Sequence, residues 1–197
     1  MILYCATSNR HKLREFEHAA QRLAPGSFQI LPLPGLGELQ PPPETGDTFE
    51  ANAIEKALYY SQWTQELVFA DDSGLAVEAL GGAPGVLSAR YAGPSAGDQA
   101  NNQLLLRNLQ GVTHRAAEFV CVIALAQAKR LIRTFRGAVR GEILHQERGV
   151  NGFGYDPLFY HPPFGCTFAE ATPDQKLLVS HRGQAFAQLI EYLKQRI

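Results

Sequence analysis

Phe69-Ala70-Asp71-Asp72-Ser73-Gly74-Leu75-Ala76-Val77 sets two carboxylates side by side between two apolar runs. Val68, Phe69 and Ala70 predict a short buried strand, and Leu75 to Val77 resume one after the polar residues. Adjacent charges in such a setting are costly unless something compensates them. Two readings stand on these residues alone. One is a divalent cation, because hard cations such as Mg²⁺ take oxygen ligands and draw few of them from protein. The other is a polar turn between strands, since Asp, Ser and Gly all favour turns.

Upstream, Phe49, Ala53, Ala57 and Tyr60 predict a helix running to about Gln65, capped by Asp47 with Glu50. Asn52 and Lys56 stand four residues apart on a neighbouring face. Pro32, Pro34, Pro41, Pro42 and Pro43 make the segment before it an irregular connector, which ends at the loop carboxylate Glu44. Downstream, Gly81-Gly82-Ala83-Pro84-Gly85 marks a tight loop. Arg90 follows, with a phosphate, Asp71 or Glu78 as alternative partners. Ser95 and Asp98 predict the cap of a further helix carrying Leu104, Leu105 and Leu109, closed by Gly111.

Farther out, Ile2 to Ala6 predicts a first strand. Thr7-Ser8-Asn9-Arg10-His11-Lys12 leads from it into a helix marked by Leu13, Phe16, Ala20 and Leu23 and stopped by Pro25-Gly26. Thr7, Ser8 and Asn9 then lie at a helix N-terminus, where free N–H groups and the dipole favour an anion, with Lys12 adding a charge. An ordinary cap is the commoner use of such residues, and the two uses are compatible. Phe28 to Leu33 predicts a second strand. Ala117 to Ala126 and Leu131 to Leu144 predict a long antiparallel hairpin turning at Gln127 to Arg130. With helices at both ends of the chain, this implies a mixed sheet in an α/β arrangement.

Gly149-Val150-Asn151-Gly152-Phe153-Gly154-Tyr155-Asp156-Pro157 is a second loop with chemical potential. Its glycines let backbone approach a ligand, Phe153 and Tyr155 offer flat faces, and Asp156 offers an acceptor. Stacking plus an edge hydrogen bond is how a base is held. A Gly-rich hairpin end anchored by aromatics is the alternative. Phe186, Leu189, Ile190, Leu193 and Ile197 define an amphipathic C-terminal helix with Ser180 as its cap. His181 and Arg182 at its start oppose the helix dipole, a local inconsistency of the kind function explains.

The totals bound the answer. The 197 residues are 45% hydrophobic and 19% charged, as in an ordinary globular protein. A formal net charge of -1 gives no global electrostatic case for nucleic acid or an anionic membrane. Cys5, Cys121 and Cys166 are far apart, without any C-x-x-C, and read as apolar filler. The apolar start is too short for a signal h-region and no later run suits a bilayer span, so the cytoplasm is the expected compartment. His18, His114, His145 and His161 have no metal spacing and read as surface or core residues.

Four stretches occur in order: Thr7 to Lys12; Asp71 to Leu75 with Gly81 to Gly85; Phe153 to Pro157; and Ser180-His181-Arg182-Gly183. Together they closely resemble the inosine triphosphate pyrophosphatase family, across nearly the whole chain from Leu3 to Leu193. The resemblance implies hydrolysis of nonstandard purine nucleoside triphosphates (ITP, dITP, XTP) to the monophosphate and pyrophosphate, cleansing the nucleotide pool. It implies one domain, 1–197, an α/β fold with a long mixed β-sheet flanked by helices, two lobes and a central cleft. It also implies a homodimer. By the same resemblance, Glu44 and Asp72 bind Mg²⁺ and Asp72 is the proton acceptor. Thr7, Ser8, Asn9 and Lys12 match the triphosphate-binding turn, with Asn52 and Lys56 near the phosphates and Ser73 on the substrate. Phe153, Gly154, Tyr155 and Asp156 match the nucleoside-binding loop. Lys176, His181 and Arg182 match the residues that recognise the keto purine. Gln175, where the family often has an acid, Leu178, and Pro41-Pro42-Pro43 depart from its pattern. The expected chemistry follows: repulsion within the Asp71–Asp72 pair raises one pKa and suits it as a base, while Arg182 and His181 donate to a 6-keto oxygen. The rivals are a pyrophosphatase for other nucleotides and a nucleotide- or RNA-binding module without turnover.

Overall fold

The structure, a computed structural model, describes residues 1–196. Its strands are β1 (Ile2–Cys5), β2 (Gln29–Pro32), β3 (Val68–Val77), β4 (Ala116–Gln127), β5 (Arg130–Ile143), β6 (Phe159–His161) and β7 (Cys166–Thr167). Its α-helices are α1 (Arg10–Leu23), α2 (Phe49–Tyr60), α3 (Asp98–Asn108), α4 (Pro173–Val179) and α5 (His181–Lys194). The sheet order is β2-β1-β3-β4-β5-β6-β7. β1 runs parallel to both β2 and β3, whereas β6 is antiparallel to β5 and β7, so the α/β fold with a mixed sheet is as expected. Ala128 and Lys129, with φ of 47° and 64°, turn the β4–β5 hairpin. Two left-handed residues in a row match the twist of the strands they join.

The chain packs as two compact units. The first comprises Met1–Asp72, Cys121–Gly137 and the chain from His181 on; the second comprises Ser73–Val120 and Ala138–Ser180. β3, β4 and β5 each contribute residues to both. In the first unit α1 packs on α5, and Phe16, Phe69 and Phe186 form its aromatic centre. Phe16 meets Phe69 edge-on at 5.0 Å between centroids and Phe186 at 5.2 Å. The second unit has its own core, in which Leu75, Val77, Leu105 and Leu109 pack with Phe119, Tyr155, Phe159 and Phe168. Burying each such side chain contributes roughly 1.5–3 kcal/mol. Cys5 and Cys121 are buried filler, and no cysteine is in a disulfide. Ile197, assigned above to the apolar face of α5, lies outside the described residues.

Three local expectations are corrected. β3 is one unbroken strand of ten residues, not two segments around a turn. Ser73-Gly74 does not bend it; a Cβ on Gly74 would lie 2.3 Å from Ser88 Oγ and 2.6 Å from the Gly85 carbonyl. Glycine is required there for close approach, since Ser88 Oγ itself accepts from the Leu75 N–H. The cap of α2 is Thr48, which accepts from the Ala51 N–H, and the helix ends at Tyr60 before a 3₁₀ turn at Ser61–Trp63. The cap of α3 is Gly97 rather than Ser95, and as a glycine it makes no side-chain cap bond; Asp98 is the first helical residue.

Candidate active site

In the first unit, strand pleating sends the two acids of β3 to different partners. Oδ2 of Asp71 accepts from Lys12 Nζ at 2.8 Å, and Oδ1 of Asp72 from Lys56 Nζ at 2.7 Å. Successive side chains of a strand point to opposite faces, so adjacency in sequence does not make the acids a dyad. Lys56 Nζ also donates to Glu44 Oε1 at 3.1 Å. Asn52, one turn before Lys56 on α2, donates to Asp72 Oδ2 at 3.2 Å and accepts the Gly46 N–H at 2.8 Å. The second bond ties the loop that carries Glu44 to the helix that carries Lys56. Four residues expected at the site, Glu44, Asn52, Lys56 and Asp72, are thus one cluster.

Burial pushes the Asp72 carboxyl up, with Lys56 opposing, and the charge of Asp71 is the smallest of the influences. The expected cause, repulsion between neighbours, is therefore corrected to desolvation. Asp71 goes the other way. Burial would raise it, but Lys12, Arg182 and Lys56 together hold it at about 2. Lys56 is raised, because Asp72, Asp71 and Glu44 outweigh its own burial.

The turn before α1 is self-capped. Asn9 Oδ1 accepts from the His11 and Lys12 N–H groups at 2.9 and 3.1 Å, and Thr7 Oγ1 from the Asn9 N–H at 3.2 Å. Ser8 is exposed. The cap reading thus holds, and the positive charge in this region comes from Lys12. His181 and Arg182 open α5 fully buried. Arg182 Nη1 donates to Glu15 Oε2 of α1 at 2.5 Å. Glu15 raises the Arg182 pKa against its burial, and Asp71 adds to that. Nothing in the periodicity of α1 distinguished Glu15; only the placement of Arg182 does.

The second unit holds the other expected group. Asp156 Oδ2 accepts the Phe153 N–H at 2.9 Å and Lys176 Nζ at 2.5 Å. Lys176 is buried and its ammonium lies 5.2 Å from the centre of the Phe153 ring. Gly152, at φ 73°, has no room for a side chain, as a Cβ would lie 2.1 Å from Asp156 Oδ2. Tyr155 departs from expectation. Its ring is core, and its hydroxyl donates to the Ser88 carbonyl at 2.8 Å, so only Phe153 presents a partly exposed ring. Gln175, the departure noted beside Lys176, completes a capping box with Thr172 at the start of α4. Ser73 is half-buried at the head of this unit's share of β3.

Among the described residues no three His, Cys, Asp or Glu side chains gather as a metal nest. Mg²⁺ needs no such nest, since it is held by one or two carboxylates plus substrate phosphates and water. Glu44 and Asp72 already direct oxygens at one positive charge, the Lys56 ammonium, and that donor set suits a hard cation.

The sequence profile of the Ham1 family matches residues 3–192. A protein of Desulforamulus reducens called dITP/XTP pyrophosphatase is 47% identical over 198 residues, covering 98% of this chain and 96% of that one. Another of that name, from Exiguobacterium, is 46% identical over 98% of this chain and all of its own length. Among solved structures, the Ham1 protein of Staphylococcus aureus superposes with a TM-score of 0.87 at 38% identity, covering both chains completely. That of Coxiella burnetii gives 0.87 at 39%, covering 99% of each. With the match spanning the chain in both sequence and fold, the protein belongs to the Ham1 family.

Proposed function

We propose that this protein hydrolyses nonstandard purine nucleoside triphosphates, ITP, dITP and XTP, to the monophosphate and pyrophosphate in a Mg²⁺-dependent reaction. The observation that carries the proposal is the Lys56 ammonium shared by Glu44 and Asp72, with a second lysine, Lys12, on the neighbouring acid Asp71. Relatives called dITP/XTP pyrophosphatase support the substrate class.

Phosphoryl transfer needs charge neutralisation and alignment more than covalent chemistry. Lys12 and Lys56 supply cations for the phosphate tail, with Thr7, Ser8, Asn9, Asn52 and Ser73 as polar contacts. Glu44 and Asp72 would hold Mg²⁺, which when bound polarises phosphoryl oxygens and offsets their charge. Asp72 takes the proton of the attacking water. The water oxygen bonds to phosphorus and the α–β anhydride bond breaks, so the pyrophosphate leaves with the electron pair of that bond. A carboxyl raised by burial is the better proton acceptor of the two, while Asp71, held ionised by Lys12, fixes the lysine.

Phe153 and Asp156, with Lys176, are the purine-binding residues of the second unit, and His181 and Arg182 are the keto-recognising residues of the first. A site built to hydrogen-bond a keto oxygen rejects adenine by leaving its donors unpaired. The enzyme works in the cytoplasm as a homodimer, removing aberrant nucleotides from the pool. A panel of ITP, dITP, XTP, GTP and ATP, with and without Mg²⁺, tests the reading by released pyrophosphate. Release confined to the keto purines, favouring the nonstandard ones and abolished by chelation, is expected. A retained nucleotide without product across several divalent metals contradicts it.

A further inference from the structure

Both backbone polar groups of Gly154 are held by one helix. Its N–H donates to Asp98 Oδ2 at 2.7 Å, and its carbonyl accepts from Asn102 Nδ2 at 3.1 Å. Asp98 and Asn102 stand four residues apart on α3, so they rise from one face on successive turns. Asp98 is the first residue of α3, and its carboxylate is directed at the loop. Asn102 is buried, and its Nδ2 also donates to Glu147 Oε1 at 3.0 Å. Two acceptors on that nitrogen fix which way the amide faces.

Gly154 sits at φ 62° in the middle of the loop. On one side Phe153 gives its N–H to Asp156; on the other Tyr155 is anchored to Ser88. The grip from α3 therefore sets the two peptides that join Phe153 to Tyr155.

We propose that Asp98 and Asn102 are positioning residues, which hold the Phe153–Asp156 loop in the shape that receives the purine. Through them α3 sets how tightly a keto purine is bound and how well it is told from an amino purine. The inference rests on the reading of this loop as the base-binding element.

The test is steady-state kinetics of Asp98→Ala and Asn102→Ala with ITP and ATP. Inorganic tripolyphosphate, which carries no base, serves as a competitive inhibitor. Loss of one charge-assisted hydrogen bond is expected to raise KM for ITP about tenfold and to narrow the ITP-over-ATP ratio. The kcat stays within about twofold and tripolyphosphate inhibition is unchanged, because the phosphate contacts are untouched. Amide exchange over residues 152–156 speeds up while that of β4 does not. Should Asp98→Ala not fold, Asp98→Asn keeps an acceptor and loses the charge, and a rise of about threefold is expected. An unmoved KM in the folded variants overturns the proposal. So does a parallel loss of kcat, ITP affinity and tripolyphosphate inhibition, which marks general damage. A wild type that turns over no purine triphosphate sinks the functional reading; normal turnover with KM indifferent to Asp98 sinks this inference alone.

Discussion

Asp71 and Asp72 are neighbours in one strand but answer to different lysines, Asp71 to Lys12 at 2.8 Å and Asp72 to Lys56 at 2.7 Å. The division separates their properties. Asp71 is held at about 2 by the cations around it, while burial raises Asp72. One acid anchors and the other is left with the basicity that a proton transfer needs.

Asp72→Asn keeps the shape but leaves one acceptor oxygen for the two donors Asn52 and Lys56, and removes the proton acceptor. Turnover is expected to fall by about two orders of magnitude or more, with ITP still bound. Pyrophosphate release and equilibrium binding on the same preparation check this. Near-normal release with Mg²⁺ present refutes the assignment.

Lys56→Met leaves Glu44 and Asp72 without their shared ammonium. If the two acids form a cation site, Mg²⁺ should now stabilise the variant more than the wild type, by about 2–4 °C in Tm. Thermal melts with Mg²⁺ and with chelator measure it. The same Mg²⁺ response in both proteins shows that the carboxylates share no cation site.

Asp71 ties stability to pH. Its folded value of about 2 lies below the ordinary 3.8, so its contribution is complete above the unfolded value and is lost as pH falls through about 2. The advantage of the wild type over Asp71→Asn, about 2 kcal/mol near neutrality, should shrink steadily from pH 5 to pH 2. Urea midpoints at several pH values, in chelator, follow it; a difference that stays flat argues that the lysines do not stabilise the ionised form.

Arg182→Ala is expected to cut the ITP-over-ATP ratio of kcat/KM by about tenfold or more, with a smaller change in kcat for ITP. Stability should fall too, as Glu15 loses its partner at α5. An unchanged ratio in the folded variant removes Arg182 from base recognition.

Much of this was legible in residue order. Periodicity found the helices of α1 and α5 and the β4–β5 hairpin, because each buries one regular face. The polar residues of α2 were legible as a pair, Asn52 with Lys56, since helical spacing fixes who shares a face. The unbroken course of β3 was not, because local composition marks Asp-Ser-Gly as a turn while lysines distant in sequence neutralise the acids and Ser88 needs Gly74 bare. Cap assignments failed on local geometry. Thr48, one residue beyond Asp47, takes the Ala51 N–H, and Gly97 rather than Ser95 precedes α3. Tyr155 looked like a stacking face until the core of its unit claimed the ring. Long-range pairing decided the course of β3 and the place of Tyr155, and no local pattern encodes it.

The most direct measurement is the identity of the products from ITP. After incubation with Mg²⁺, nucleotides and phosphates are separated and counted. IMP and pyrophosphate in equal amounts are expected, from one cut between the α- and β-phosphates. IDP with orthophosphate, or unchanged ITP, contradicts it.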